Sequence, residues 1–450
     1  MTAPPYARAA YLALAASLAL VPRLPAQQRP VADISGSTAP CQDAIISPDG
    51  QFVAYRSGNR LAAVRRTGGG EISLHTGTAL SSFLWSPSSS TIYAADGNRV
   101  LALPRTGGGA TTIATLVGRS VWLWDVSSDG ATLFGTRYDP ARSEYHAFSL
   151  ATDGTQAPVA LFSSLDAISE IRVDPSDQFL LWFEQATAPF SPIVLMRGQV
   201  DGNHRAALIS APLGSVATGP DWIDQGDRAI VSALVAGSGL QVMRADRLRD
   251  ALEPLTWGLG HQRPTRSPDG AWIVMESVDG VGGNGPALLP VEGGGEVLLL
   301  TGELYQYAGS PNIDAARDSV VYSARRLSQT ETARVFRADL DGEMRVHPRA
   351  ETGRTLHFEL PAAAGQAGAI LLGQRAAPVV LSGISFDYVL GPNFAILGMG
   401  VASGSGPIAT AVPIPAIPAL AGLVIDFQGL RWDMASQSGE WTRSGRFAIF

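Results

Sequence analysis

The sequence has no lysine, and charged side chains of either sign are scarce. All 33 basic residues are arginine, and charged residues occupy only 16% of the 450 positions. The formal net charge is −7, and the arginines form no long basic run. A nucleic-acid-binding surface needs clustered basic side chains, so we expect no nucleic-acid partner.

Cysteine and long apolar segments are nearly absent as well. Cys41 stands alone, so no disulfide can form within the chain, and we expect a small, buried or half-buried thiol. The stretch 407–427 is apolar but contains four prolines, which argues against a membrane helix. We therefore predict no transmembrane span in the mature protein.

The N-terminus has the three parts of a secretory signal peptide. Arg8 supplies the positive charge, 13 apolar residues follow at 9–21, and the small residue Ala26 precedes the expected cleavage point. A membrane span needs about 20 residues, so this run is short for one. We predict that residues 1–26 are removed and that the protein is extracytoplasmic; a retained anchor is the alternative.

Motifs of several enzyme classes are also missing. The chain has no G-x-S-x-G of serine hydrolases and no H-E-x-x-H of zinc proteases, and its six histidines do not pair at that spacing. The segment DLDG at 339–342 matches part of a calcium loop but lacks the later acidic ligands. We interpret it as a β-turn and expect no metal, no cofactor and no catalytic residue.

What the sequence does contain is a repeat of about 45 residues. The segment ISPDGQFVAY at 46–55 recurs in altered form at six later positions, which begin at 85, 126, 173, 223, 266 and 313. Each copy is followed by a short apolar strand and a turn such as TGGGE or TDGTQ. Seven first halves therefore alternate with seven second halves.

Each repeat unit predicts about four β-strands. S-P-D-G is a turn sequence, because proline presets φ and glycine tolerates positive φ. The residues after it are apolar and β-prone, and GGG or DG marks the next hairpin. A single sheet of this size cannot bury its faces, whereas seven sheets packed radially can. We expect a strand within 31–46 to close the ring with the last sheet.

These turns and strands resemble the β-propeller repeat of the TolB type. The resemblance rests on Pro48-Asp49-Gly50, on WSP at 85–87 and on the GGG turns. It implies an all-β, seven-bladed β-propeller over residues 27–350, with six or eight blades as alternatives. It also implies a bacterial protein that is secreted or periplasmic. TolB itself and the prolyl oligopeptidases carry further domains for which this chain has no room.

After residue 350 the repeat ends, but strand patterns continue to residue 450. The segment PIPAIPALAGLVIDFQGLRWD resembles a C-terminal module found on many secreted bacterial proteins. We predict a small β-sandwich domain over residues 351–450.

In a propeller the innermost strand of each blade lines the central channel. Here that strand precedes each S-P-D-G turn, and the connections between second and third strands are long in four blades, which favours binding at the channel mouth. The candidate ligand-binding residues at this mouth are Arg172, Asp221, His261, Gln262, Arg263 and Glu276. Solvated channel groups without a ligand are the alternative interpretation.

Three functions fit the sequence. The first is a non-catalytic, monomeric propeller scaffold that binds a protein or a cell-envelope component. The second is a propeller enzyme acting on polysaccharide, a lyase or a glycosidase, which needs two carboxylates or several histidines to converge at the channel mouth. The third is a structural surface protein with the C-terminal module as its attachment. We favour the first.

Overall fold

The structure of the chain, a computed structural model, describes most residues from 31 onward. The described ranges are 31–35, 39–117, 119–188, 190–235, 239–256, 260–278, 284–298, 305–307, 311–313, 319–326, 333–339, 345–347, 353–373, 375–379, 384–385, 388–390, 394–402, 406–420, 423–433, 435–436, 438–442 and 445–449. These ranges contain forty strands and one short 3-10 helix, Pro418–Leu420. The predicted signal peptide lies outside them.

Within the described ranges, no helix is long and apolar enough to cross a membrane.

The described chain divides into two units, Val31–Asp341 and the residues from Gly342 onward. The first unit begins with β1 (Val31–Asp33), which is followed by five four-stranded antiparallel sheets. The first two sheets are β2 (Cys41–Ile46), β3 (Phe52–Ser57), β4 (Arg60–Arg65) and β5 (Ile72–Thr76), then β6 (Leu80–Trp85), β7 (Thr91–Asp96), β8 (Arg99–Pro104) and β9 (Thr111–Thr115). The third is β10 (Arg119–Val126), β11 (Thr132–Asp139), β12 (Glu144–Ala151) and β13 (Val159–Ser164). The fourth and fifth are β14 (Ala167–Val173), β15 (Phe179–Gln185), β16 (Ile193–Gln199) and β17 (Ala206–Ala207), then β18 (Ala217–Trp222), β19 (Arg228–Val235), β20 (Gly239–Asp246) and β21 (Ala251–Pro254).

Two further ladders complete this unit. The sixth is β22 (His261–Arg266), β23 (Trp272–Val278), β24 (Asn284–Pro290) and β25 (Glu296–Leu298). The seventh contains β26 (Tyr305–Tyr307), β27 (Asn312–Ile313), β28 (Ser319–Arg326) and β29 (Arg334–Asp339); β26 and β27 both pair with β28.

The seventh ladder takes its outer strand from the start of the unit. β1 pairs antiparallel with β29, with Val31 opposite Ala338, and the Ile34 amide donates to the Val335 carbonyl at 3.0 Å. Ile34 is buried against Val335 in an apolar cluster that also contains Cys41. The predicted closing strand is therefore confirmed, as is the burial of the single thiol, which raises the pKa of Cys41 to about 11.

The S-P-D-G turns join the first and second strands by a repeated pair of side-chain hydrogen bonds. Ser47 Oγ donates to Asp49 at 2.6 Å and accepts from the Phe52 amide at 3.0 Å. The same pattern recurs at Ser127 and Ser267. Repetition of one turn explains why the recurring sequence predicted repeated hairpins.

In two eroded copies of this turn, the glycine position holds a polar residue. Ser89 and Asp177 have φ values of 60° and 56°, the left-handed region that favours glycine. Ser89 Oγ accepts from the Asp49 amide at 2.9 Å, and the Asp177 carboxylate accepts from the Ser128 amide at 2.9 Å. Both bonds join neighbouring sheets, so the polar side chains gain a contact that glycine cannot make.

The second unit contains two main sheets. One is formed by β30 (Arg345–His347), β31 (Thr355–Leu360) and β37 (Ile408–Pro413). The other is formed by β36 (Ala395–Val401), β32 (Gln366–Gly373), β38 (Val424–Asp433), β39 (Ser438–Trp441), β40 (Gly445–Ala448) and the short β34 (Ile384–Ser385). A separate pair is β33 (Arg375–Val379) and β35 (Tyr388–Leu390).

The two main sheets of this unit pack face to face. Phe358 and Phe427 contact edge to face, with ring centroids 6.3 Å apart. A Cβ on Gly368 would lie 2.7 Å from Ile408 and 2.8 Å from Leu360, so glycine is needed where the sheets approach. The all-β fold of repeated four-stranded sheets followed by a small β-sandwich is thus as predicted. The blade number of seven stays a prediction, which the seven ladders support.

Closure by β1 predicts a stability cost when its buried anchor is truncated. Ile34→Ala removes apolar packing against Val335 and should lower the free energy of unfolding by about 2–4 kcal/mol. Urea denaturation of the mature protein measures this. Val159→Ala, at a side chain that is 55% exposed, is the control and should change stability by less than about 0.5 kcal/mol. Equal stability of the two variants would contradict closure by β1.

Candidate ligand-binding channel

The innermost strands of the ladders surround one cavity. In six ladders, one residue near the end of the innermost strand lines this cavity. It stands two positions before the first residue of the turn that joins the first and second strands. We call these six residues the channel ring. The channel ring consists of Ile45, Leu84, Asp125, Arg172, Asp221 and Thr265. The cavity has a volume of about 430 Å³, and Asn312 of the seventh ladder also lines it.

Two aspartates of the channel ring accept hydrogen bonds from the next sheet. Asp125 Oδ2 accepts from the Val173 amide at 2.9 Å, and Asp221 Oδ2 accepts from the Arg266 amide at 2.9 Å. In each case the other carboxylate oxygen accepts from the amide of the following residue. Each carboxylate thus joins two inner strands, and a carboxylate with about four acceptor sites retains capacity for a ligand.

Arginine and tryptophan side chains make similar bonds to the preceding sheet. Arg172 Nη1 donates to the Trp124 carbonyl. Trp222 Nε1 donates to the Arg172 carbonyl at 3.2 Å, and Trp85 Nε1 donates to the Ile45 carbonyl at 3.0 Å. These bonds fix the backbone of the channel ring from sheet to sheet.

Arg172 belongs to the fourth ladder, between the ladders of Asp125 and Asp221, and forms no ion pair with either aspartate. Among the residues that the structure describes, no carboxylate oxygen comes within 4.0 Å of its guanidinium nitrogens. All three side chains line the cavity. Opposite charges are therefore held apart around a shared space.

In four ladders a β-bulge with unusual backbone geometry lies two residues before the channel-ring residue. The residues at the bulges are Asp43, Glu170, Gly219 and Arg263, with φ values of 55°, 55°, 63° and 52°. Three of the four are charged residues in the region that favours glycine. Such strain collects at functional sites, and bulges redirect side chains near them.

Burial shifts the carboxyl groups of the channel towards their neutral forms. It raises the pKa of Asp125 to about 6, against the opposing effect of Arg172. Burial also raises the pKa values of Asp221 and Glu170, again opposed chiefly by Arg172. The same cause raises the pKa of Glu276. Clustered groups with raised pKa values are typical of functional sites.

Of the six residues singled out from the sequence, the structure brings Arg172 and Asp221 together in the cavity. His261 is buried at the start of β22. Gln262 Nε2 donates to Glu276 Oε2 at 2.8 Å. Arg263 lies at a bulge, and its positive charge opposes the rise in the pKa values of Glu276 and Asp43. Ligand binding by these residues stays a prediction.

Sequence reasoning missed Asp125 and Arg56, which line the cavity, and Glu170, which lies at the bulge before Arg172. Arg56 lies on a second strand and pairs with Asp43 at 3.0 Å. Asp125 stands at the same offset from its turn as Arg172, so counting back from each turn identifies it. Glu170 has no such signal, because the bulge that orients it is not encoded in the repeat.

One end of the propeller unit carries the connections between second and third strands and between successive sheets; we call this end the loop face. Antiparallel alternation places these connections together, opposite the S-P-D-G turns. Five of the seven exposed large apolar side chains of this unit lie there, among the described residues: Val117, Leu165, Phe190, Val216 and Leu234. The other two, Val159 and Leu248, lie at the opposite end.

The comparisons with known proteins rest on structure alone. No family model and no curated protein matches the chain. An oligogalacturonate lyase solved in complex with manganese aligns with a TM-score of 0.56 at 11% identity, over 71% of this chain and 97% of its own. A puromycin-hydrolyzing peptidase from Mycobacterium tuberculosis aligns with a TM-score of 0.52 at 13% identity, over 76% and 62%. TolB from Acinetobacter baumannii aligns with a TM-score of 0.43 at 12% identity, over 67% and 79%.

At these identities the likeness shows the fold alone, that of a β-propeller. In the part of this chain that the structure describes, no group of three or more His, Cys, Asp or Glu side chains is arranged to hold a metal ion.

The raised pKa of Asp125 predicts a pH-dependent stability. The folded pKa, about 6, exceeds the ordinary value of 3.8, so the native state binds this proton more tightly than the unfolded state. The resulting stabilisation is complete below pH 4 and is lost as the pH rises through 6. The stability of wild type relative to Asp125→Asn should therefore fall by on the order of 2 kcal/mol between pH 4 and 7 in urea denaturation.

The control for this prediction is Asp153→Asn. Hydrogen bonds from Thr155 lower the pKa of Asp153, so the stability of wild type relative to this variant should rise over the same pH range. A difference between wild type and Asp125→Asn that does not change with pH would contradict the prediction.

Proposed function

We propose that the protein is an extracytoplasmic, non-catalytic β-propeller that binds a protein or cell-envelope component through its loop face. The observation that carries this proposal is the concentration of exposed apolar side chains on that face. Phe190 is 88% exposed, Val117 81% and Leu165 67%. Apolar groups exposed together on one face mark interaction sites more often than isolated ones do.

The apolar side chains of the loop face belong to neighbouring sheets. The Leu234 amide donates to the Val216 carbonyl at 3.2 Å, which joins the fifth sheet to its entering connection. Gln185 Nε2 donates to the Ser191 and Ser215 carbonyls at 2.9 and 3.4 Å, which ties the Phe190 loop to the same region. A partner would therefore meet a surface whose connections are joined to one another by backbone and side-chain hydrogen bonds.

The hydrogen bonds of the channel also support a scaffold role for the propeller. The oxygens of Asp125 and Asp221 accept backbone amides, so these carboxylates already serve the packing of the sheets. The ring is thereby a rigid base on which the loops of one face are presented. Binding loops on a rigid scaffold are a recurring arrangement in repeat proteins.

The proposal extends to processing and assembly. Residues 1–26 are removed as a signal peptide, residues 27–350 and 351–450 form separate domains, and the mature protein is a monomer secreted or located in the periplasm. Native mass spectrometry of the protein purified from its own export route tests cleavage after Ala26 and monomeric state together.

Substitutions on the loop face should weaken partner capture. Immobilised mature protein is incubated with an envelope extract, and retained proteins are identified by mass spectrometry. The variant L165S/F190S/V216S should retain at least about tenfold less of the partner, because exposed apolar contacts are lost while the core is untouched.

The matched control is V159S/L248S, whose side chains are 55% and 72% exposed at the opposite end. This variant should capture the partner as wild type does. Equal capture by all three proteins, or no partner retained by any of them, would contradict the proposed loop-face function.

A second candidate is a propeller lyase or glycosidase, and one observation favours it. The pKa of Asp125, about 6, lies near neutral pH beside Arg172 in a cavity, as a general acid or base requires. This activity would release reducing ends from polysaccharide, and Asp125→Asn would lose at least about a hundredfold in rate. Release at the same rate by wild type and Asp125→Asn would remove this candidate.

A further inference from the structure

The cavity inside the channel ring is lined by charged, polar and apolar side chains. Asp125, Arg172 and Asp221 occupy three consecutive ladders, the third to the fifth. The first and second ladders contribute the apolar Ile45, Leu80 and Leu84 as well as polar and charged residues of the same strands. Small-molecule sites combine apolar walls with a few placed polar groups in just this way.

The charged residues of the cavity keep hydrogen-bonding capacity that the protein itself does not use. Arg172 donates from Nη1 to the Trp124 carbonyl, and no described carboxylate is within 4.0 Å of its guanidinium nitrogens. Asp125 and Asp221 each use both oxygens for backbone amides, which leaves one acceptor site on each oxygen. Two carboxyl groups and one guanidinium group therefore face the cavity without pairing with one another.

The charges fix the chemistry of a fitting molecule. An ammonium group would be bound by the two carboxylates, and a carboxylate would be bound by the guanidinium, which presents several donors in one plane. An aliphatic side chain would contact the wall formed by Ile45 and Leu84. A volume of about 430 Å³ is at the small end of the range for ligand sites, about 300–1,000 Å³.

At the end nearer the loop face, an ion pair borders the cavity. Asp43 and Arg56 line the cavity near that end, pair at 3.0 Å, and have side chains that are 43% and 27% exposed. Arg56 also donates to the Leu80 carbonyl at 3.1 Å and to Gln42 Oε1 at 2.8 Å, so this end of the cavity has a defined polar border.

We propose that the channel binds a small zwitterion, an apolar α-amino acid, with its ammonium group between Asp125 and Asp221 and its carboxylate on Arg172. This site is separate from the surface of the loop face and does not depend on capture of a partner there.

The test uses wild-type mature protein and three probes in isothermal titration calorimetry. L-Leucine carries both charges, N-acetyl-L-leucine lacks the ammonium group, and L-leucinol lacks the carboxylate. L-Leucine should bind at least about tenfold more tightly than either analogue, because each analogue leaves one side of the charged set unpaired. No folding failure can affect this comparison, since the protein is unchanged.

Substitution then locates the site. Asp221→Asn should weaken L-leucine binding by at least about tenfold, while Asp153→Asn, an exposed aspartate outside the cavity, should leave it unchanged. No binding of L-leucine at millimolar concentration would overturn the proposal. Equal binding of L-leucine and N-acetyl-L-leucine, or full binding by a folded Asp221→Asn protein, would also overturn it.

Discussion

The architecture depends on hydrogen bonds between the innermost strand of one sheet and that of the next. Asp125 and Asp221 bind amides of the following sheet, and Trp85 and Trp222 donate to carbonyls of the preceding one. Inner strands lie where the sheets converge, so unpaired polar groups there would be costly. By pairing them across sheets, the chain turns separate hairpins into one wall around a cavity.

The same hydrogen bonds bury the aspartates, and burial has an electrostatic cost. Each aspartate that accepts a hydrogen bond from a neighbouring strand is desolvated, and this burial raises the pKa of Asp125 to about 6. Arg172 offsets part of this cost without pairing directly. The carboxylates that join the inner strands are therefore the same groups that line the cavity, and they are the groups to which we assign the proposed ligand.

The repeat in the sequence predicted much of this arrangement. Recurring S-P-D-G turns gave the four-stranded sheets, the closing strand and the placement of Arg172 and Asp221 in the channel. The bulges at Asp43, Glu170 and Arg263 could not be predicted, because a left-handed residue inside a strand leaves no mark in the apolar pattern. Contacts such as Ser89 with Asp49 were also hidden, since the two residues belong to different repeats.

Hydrogen–deuterium exchange of the mature protein, with and without its captured partner, shows whether the loop face is the binding surface. We expect slower exchange in the connections around residues 117, 165, 190 and 216, with unchanged exchange in the S-P-D-G turns at the other end. Protection confined to those turns, or to residues 351–450, would contradict this expectation.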